Sequence, residues 1–136
     1  MPDCGVDLSL VDRLTDIAVT VGSGDSSLSY FQTAKAMSNY REGRFAEAIE
    51  WGEKAIKSSI LYANAHAYAV LAMAHWQLGH KDTARAMLAK GDSLTPSVLL
   101  TRGPVDLGDS WLAWLFARIS LDEATALIRP SDPREP

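Results

Sequence analysis

A single cysteine, Cys4, in 136 residues leaves no internal disulfide framework and no thiolate metal cluster. A reducing, cytoplasmic setting is the expectation. No run approaches the roughly 18 apolar residues of a membrane span, and Met1-Pro2-Asp3-Cys4 lacks the basic-then-apolar order of a secretory signal. A piece cut from a longer protein would read the same way. Basic residues are also short: 13 Lys and Arg stand against 17 Asp and Glu, for a net charge of -4. That balance supplies no stripe to neutralise phosphates, so neither nucleic acid nor a membrane surface is expected as partner. Gly22-Ser23-Gly24 is no nucleotide loop, since it follows a helical pattern rather than a strand.

What is present is helical periodicity. Leu10, Leu14, Ile17 and Val21 follow a 4-3-4 spacing within 6–21, and Val11 and Ala18 widen the same face. The glycines and serines of 22–27 stop that helix. Ser29 with Gln32 has the form of a capping box, which predicts a second helix from near Tyr30 to Arg41, with Gly43 in the left-handed turn. Further helices are predicted over 46–58, turning Ala48, Ile49, Ala55 and Ile56 inward, over 63–78, closed by Gly79, over 81–94, ended by Thr95-Pro96, and over 109–128. Pro96, Gly103 and Pro104 make the 95–107 connection a long loop, either a spacer or a binding loop. Residues 129–136 read as a disordered tail. The fold class is all-α.

Gly43 and Gly79 are 36 positions apart, and the same shift carries Tyr40 onto Trp76, Ala48 onto Ala84 and Lys54 onto Lys90. Small residues at Ala48 and Ala84 let the second helix of each pair approach the first closely. Tyr68, Leu71, Ala72, Gly79, Ala84, Leu88 and Pro96 resemble the pattern of the tetratricopeptide repeat, a 34-residue helical hairpin, over 65–98, with Gly91 in place of its later alanine. A first copy over 29–62 keeps Gly43, Phe45, Ala48 and Ala55. There Gln32 and Lys35 stand where the family has an aromatic and a leucine, and Ile60 replaces the proline, so its first helix is expected to be rotated or shifted. The resemblance implies antiparallel hairpins stacked as a short right-handed solenoid in one domain, 1–136. The 6–21 helix would cover the N-terminal end and 108–128 would cap the other. The stretch DLGDSWLAWLFARISLDEATALI behind two such repeats looks like the C-terminal repeat tail of bacterial multidomain proteins with a kinase or propeller domain upstream, although no kinase motif is present in this chain.

The resemblance also implies a non-catalytic protein-interaction module that holds a peptide or helix along an inner face built from the first helix of each pair. Carried onto this chain, that face comprises Tyr30, Thr33, Met37, Tyr40 and Arg41, then His66, Ala69, Met73, Trp76 and Gln77. It is aromatic and Met-lined, which suits an apolar ligand, with Tyr40, Met73 and Trp76 as anchors and Arg41 or Gln77 setting orientation. The bland alternative is that neighbouring helices cover these residues. A clamp for a C-terminal carboxylate is disfavoured, because Thr33, Met37, Ala69 and Met73 supply no charge.

The 109–128 helix is apolar on two sides, Trp111, Trp114, Leu115 and Leu121 on one, and Leu112, Phe116, Ile119 and Leu127 on the other. One side closes the second repeat and the other needs a second partner, either the concave groove of the same molecule or another subunit, so homodimerisation through Trp111, Leu112, Leu115, Phe116 and Ile119 is the alternative function. No cofactor and no metal are expected. His66, His75 and His80 lie nine and five apart rather than four, and His75 reads as a core histidine. Asp12 with Asp16, and Asp106 with Asp109, read as exposed or helix-capping carboxylates rather than acid-base pairs. Cys4 has no neighbour to activate it.

Overall fold

The computed structural model describes residues 5–24, 27–95 and 111–129. Among them six helices follow in order, α1 (Leu8–Val21), α2 (Leu28–Arg41), α3 (Phe45–Ala55), α4 (Leu61–Gln77), α5 (Lys81–Leu94) and α6 (Trp111–Ile128), with no strand. None of these helices is long and apolar enough to cross a membrane. Cys4, most of the long connection, Asp106, Asp109 and residues 130–136 lie outside the described residues. α3 stops at Ala55, short of the expected Ser58, and α4 starts at Leu61, two residues early.

The capping box needs correction. α2 begins before Ser29, because the Ser27 carbonyl already accepts the N–H groups of Tyr30 and Phe31 at 3.0 and 3.3 Å. Ser29 is thereby inside the first turn, 6% exposed, with its hydroxyl unbonded. The side-chain cap with a partner is Asp7 at α1, whose carboxylate accepts the N–H of Ser9 at 2.9 Å.

The internal repeat is written in the backbone. After α2, Gly43 N–H donates to Tyr40 and Arg44 N–H to Asn39; after α4, Gly79 N–H donates to Trp76 and His80 N–H to His75, all at 2.9 to 3.0 Å. Each pair is the 5→2 and 6→1 pattern that closes a helix with a left-handed residue, and Gly43 and Gly79 have φ of 79° and 83°. The returning helices then pack on small side chains, with Ala48, Ala55 and Ala84 fully buried, whereas Ile49 and Ile56 are only half-buried. Two further close approaches lie at Gly52, where a Cβ would sit 2.8 Å from Leu71, and at Gly91, where it would sit 2.6 Å from Leu121. The result is a stack of α2–α3 and α4–α5 hairpins around the alanine-rich α4, with α1 on α2 and α6 on α4.

The two end helices depart from expectation. α1 was expected to cover the first repeat with Leu10, Leu14, Ile17 and Val21, yet these residues are exposed, from 47% to 80%. It meets α2 through a mixed face, where Thr15 is buried, Val11, Ala18 and Val19 are half-buried, and Asp12 faces Lys35. Lys35 accounts for the carboxylates on that face. At 4% exposure, an ammonium where a leucine is usual requires carboxylates opposite it, not aliphatic side chains. α6 packs Trp114, Ala117, Leu121, Ala124 and Ile128, which splits the side read as Trp111, Trp114, Leu115 and Leu121: Trp114 and Leu121 pack and Trp111 and Leu115 stay exposed, because the buried residues repeat at three and four along the helix. Leu127 lies at the margin of that buried stripe rather than on the outer side.

Candidate functional site

Along the inner face, α6 runs in the same direction as α4. Near its start, Trp114 and Ala117 pack on Ala65, with Tyr62 and Leu94 at the edge. Further on, Leu121, Ala124 and Ile128 meet Ala69, Ala72, Met73, Ala84 and Leu88, with Met37, Tyr40, Trp76 and Leu127 around them. Of the residues assigned to a groove, Ala69 and Met73 are therefore fully buried under α6, and Thr33 is buried too. For these three, cover by neighbouring helices describes their position, and Ala69 and Met73 are not open to a peptide while α6 is in place. Tyr30, Met37, Tyr40, Arg41, His66 and Trp76 are half-buried, and Gln77 is exposed.

Polar contacts fix this arrangement. Arg41 donates through both terminal nitrogens to Glu123 of α6, at 2.5 and 2.7 Å. This fork holds the Glu123 carboxyl below its ordinary range. Arg41 is thus committed to α6 and is not free to orient a ligand. Gln77 Nε2 donates to the Tyr40 hydroxyl at 3.4 Å. Trp76 has Lys81 3.5 Å above its ring centroid, so its outer face carries a cation. At the other end, Tyr30, Tyr62 and Trp114 form a row with centroids 5.5 and 5.7 Å apart. Burial, followed by the Tyr62 hydroxyl, pushes the Tyr30 phenol up. Burial pushes His66 down to about 4, so it is neutral at ordinary pH.

The five side chains assigned to self-association behave differently. Trp111, Leu112, Leu115, Phe116 and Ile119 are each 42% to 55% exposed and lie opposite the stripe that packs on α4. The arrangement offers an uncharged apolar helix face, and no reacting group accompanies it.

Two clusters escaped the sequence. The turn at Gly79 folds His80 back on His75, bringing their Nδ1 atoms to 3.1 Å although the residues are five apart. His75 is half-buried rather than core, and burial, then the neighbouring imidazole, lowers its pKa. The signal available was the glycine before His80. No group of three or more metal-ligating side chains occurs among the described residues. The second cluster gathers Asp12 and Asp16 around Lys35 at 2.5 and 2.7 Å, with Arg44 2.7 Å from Asp12. Asp12 was read as exposed, yet its side chain keeps 19% exposure, and the hydrogen bond from Lys35 holds its carboxyl low. Burial alone would lower the Lys35 ammonium, but its bonds to both carboxylates outweigh that and raise it.

The family model described as tetratricopeptide repeat matches residues 65–98. Searches of curated proteins and of solved structures return no match. The matched stretch spans α4, the Gly79 turn and α5, where the alanine-lined approach and the left-handed closure are both present. Residues 65–98 are thus similar to a tetratricopeptide repeat, a fold whose usual work is protein–protein interaction.

Proposed function

We propose that the chain is a non-catalytic protein-interaction module that pairs with a second copy of itself through the outer face of α6. One observation carries this reading: five large apolar side chains, Trp111, Leu112, Leu115, Phe116 and Ile119, stand half-exposed together on one helix. Such a patch covers a few hundred Å², the extent at which apolar surface on a monomer is usually functional. Its spacing suits a two-fold pair. Trp111 and Ile119 are symmetric about Leu115, so an antiparallel copy sets each tryptophan against an isoleucine and one Leu115 against the other. Standard interfaces bury about 800 Å² per partner, so a patch of this size suits a weak dimer whose population depends on concentration.

A peptide in the inner groove is the second reading, and α6 supplies its support. An apolar helix already lies on Ala69 and Met73, so the chemistry of that face fits such a ligand. A partner there competes with α6 and must break the Arg41–Glu123 fork.

Light scattering after gel filtration, over a dilution series, tests the first reading. The wild-type chain is expected to show twice its 14.8 kDa at high concentration and to fall toward it on dilution. Phe116→Glu, at a half-exposed position, stays folded by circular dichroism and monomeric throughout. A wild-type chain that remains at 14.8 kDa across the series overturns the dimer.

A further inference from the structure

The closing turn of each hairpin ties two positions five apart, and only in the second copy do both carry imidazoles. The shift that takes Gly43 to Gly79 also takes Asn39 to His75 and Arg44 to His80. In each turn the later N–H donates to the earlier carbonyl at 2.9 Å, Arg44 to Asn39 and His80 to His75, so the backbone fixes how far apart the two side chains start. Asn39 is fully buried and Arg44 is a cation paired with Asp12, so the first copy presents no pair of ligands. In the second, His75 is half-buried in the last turn of α4 and His80 is exposed just ahead of α5.

The two rings meet through Nδ1 at 3.1 Å, with centroids 5.4 Å apart, so each points its nitrogen nearly straight at the other. Two lone pairs do not face each other at that distance, so one Nδ1–H donates to the other Nδ1 and a proton fills the gap. A metal ion can take the proton's place. Imidazole nitrogen binds such an ion at about 2.0–2.1 Å, and two bonds at angles between square and tetrahedral hold their nitrogens about 2.9–3.4 Å apart. The separation of the two histidines lies inside that range. His80, being exposed, has room to tilt until both lone pairs meet on one ion beside the line that joins the nitrogens. Burial, then the neighbouring imidazole, hold His75 below its ordinary value, so its ring is neutral and keeps a lone pair at neutral pH. Glu53 of α3 adds a negative field at His75, which favours a cation, while the Lys81 ammonium is turned onto the Trp76 ring at 3.5 Å. No group of three ligating side chains forms here among the described residues, so water completes the coordination.

We infer that His75 and His80 form a site for a divalent late transition-metal ion, bound through both Nδ1 atoms with water in the remaining positions. The donors set the class of ion: neutral imidazoles select Cu²⁺, Ni²⁺ and Zn²⁺ over Mg²⁺ and Ca²⁺, with Cu²⁺ ahead of Zn²⁺. Once bound, the ion ties the last turn of α4 to the start of α5 across Gly79.

The test is calorimetric titration of the full chain with Zn²⁺ alone, with NMR spectra of the imidazole nitrogens recorded on the same samples. Saturable binding of a single ion is expected in the micromolar range, with both rings passing to the Nε2–H tautomer as their Nδ1 atoms are ligated. Mg²⁺ at the same concentrations should not bind. His75→Asn and His80→Asn should each weaken Zn²⁺ binding by about tenfold or more. His80→Asn, at an exposed position, should keep the metal-free melting temperature of the wild-type chain, so its loss of binding is not a loss of fold. Binding that persists in His80→Asn would place the ion elsewhere, with Cys4 the first residue to replace. Ligation at Nε2 with Nδ1 left protonated would describe two separate surface histidines. Either result, or the absence of saturable binding, overturns the proposal.

Discussion

Lys35 shows how one buried cation ties a neighbouring helix to its own. Its ammonium lies 2.5 Å from Asp12 and 2.7 Å from Asp16, both on α1, while Arg44 reaches the same Asp12 from the start of α3. Three helices are therefore joined by charges that stay unpaired if any one of them leaves. Breaking a buried pair by removing one partner costs about 3–5 kcal/mol. Solvent at Asp16, whose side chain is 57% exposed, reduces that here. Lys35→Met is expected to destabilise the chain by about 2 kcal/mol in urea denaturation. Adding Asp12→Leu should recover a large part of the loss, because the carboxylate left without its ammonium is then gone. No loss in the single variant would mean that α1 is held by something other than this cluster.

Gly91 in α5 sets alanine's helix preference against its volume. Ala is better than Gly inside a helix by about 1 kcal/mol, and alanine is what the family has at this position. A Cβ there would lie 2.6 Å from Leu121 Cδ2, 3.3 Å from Tyr68 Cβ and 3.4 Å from the Ala65 carbonyl, so the buried Leu121 side chain would have to turn aside within a packed core. Overpacking of that kind costs about 1–3 kcal/mol, and Gly91→Ala is expected to lower the melting temperature despite its propensity. Leu121→Ala in the same chain should relieve the clash, so the double variant loses less than the two single losses added together. The same contest explains what was legible in the sequence. The Gly43 and Gly79 turns and the alanines at 48 and 84 are local requirements of a hairpin, so their spacing revealed the repeat. The orientation of α1 was not local. Its 4-3-4 aliphatic stripe pointed one way, and the face that packs on α2 is another, whose carboxylates answer a lysine more than a dozen residues later. The stripe of α6 that packs was legible only in part: Trp114 and Leu121 were on one of the two apolar sides, but Ala117 and Ala124, which complete the stripe, carry no strong apolar signal. Of the candidate site, cover by neighbouring helices was one of the two readings open at the sequence level, and which helix supplies it, α6 on Ala69 and Met73, took the fold to decide.

Both end helices are tied to α2 by carboxylates, α1 through Asp12 and α6 through Glu123, so the assembly as a whole is sensitive to acid. Hydrogen bonds from Lys35 and Arg41 depress these two carboxyls below their ordinary values of 3.8 and 4.5. Stabilisation from a depressed carboxyl is complete above the ordinary value and is lost as pH falls through the depressed one. His66 acts earlier. Its folded pKa is pushed down to about 4 from 6.5 by burial alone, so between those values the unfolded chain takes up a proton that the folded chain refuses. Stability must then fall with pH across that interval, by on the order of 2 kcal/mol in total after allowing for its partial exposure. The melting temperature is accordingly expected to decline in two stages, a first from about pH 6.5 that belongs to His66 and a second below about pH 4 that belongs to the two carboxylates. His66→Gln should flatten the first stage and leave the second. Raised salt should weaken the contribution of the partly exposed Arg41–Glu123 fork and so shrink the second stage while sparing the first, because the His66 effect comes from burial and involves no opposing charge. Thermal melts across pH for both chains check this. A first stage that survives in His66→Gln would assign the proton to another group, with His75, lowered by burial and by His80, the next to replace.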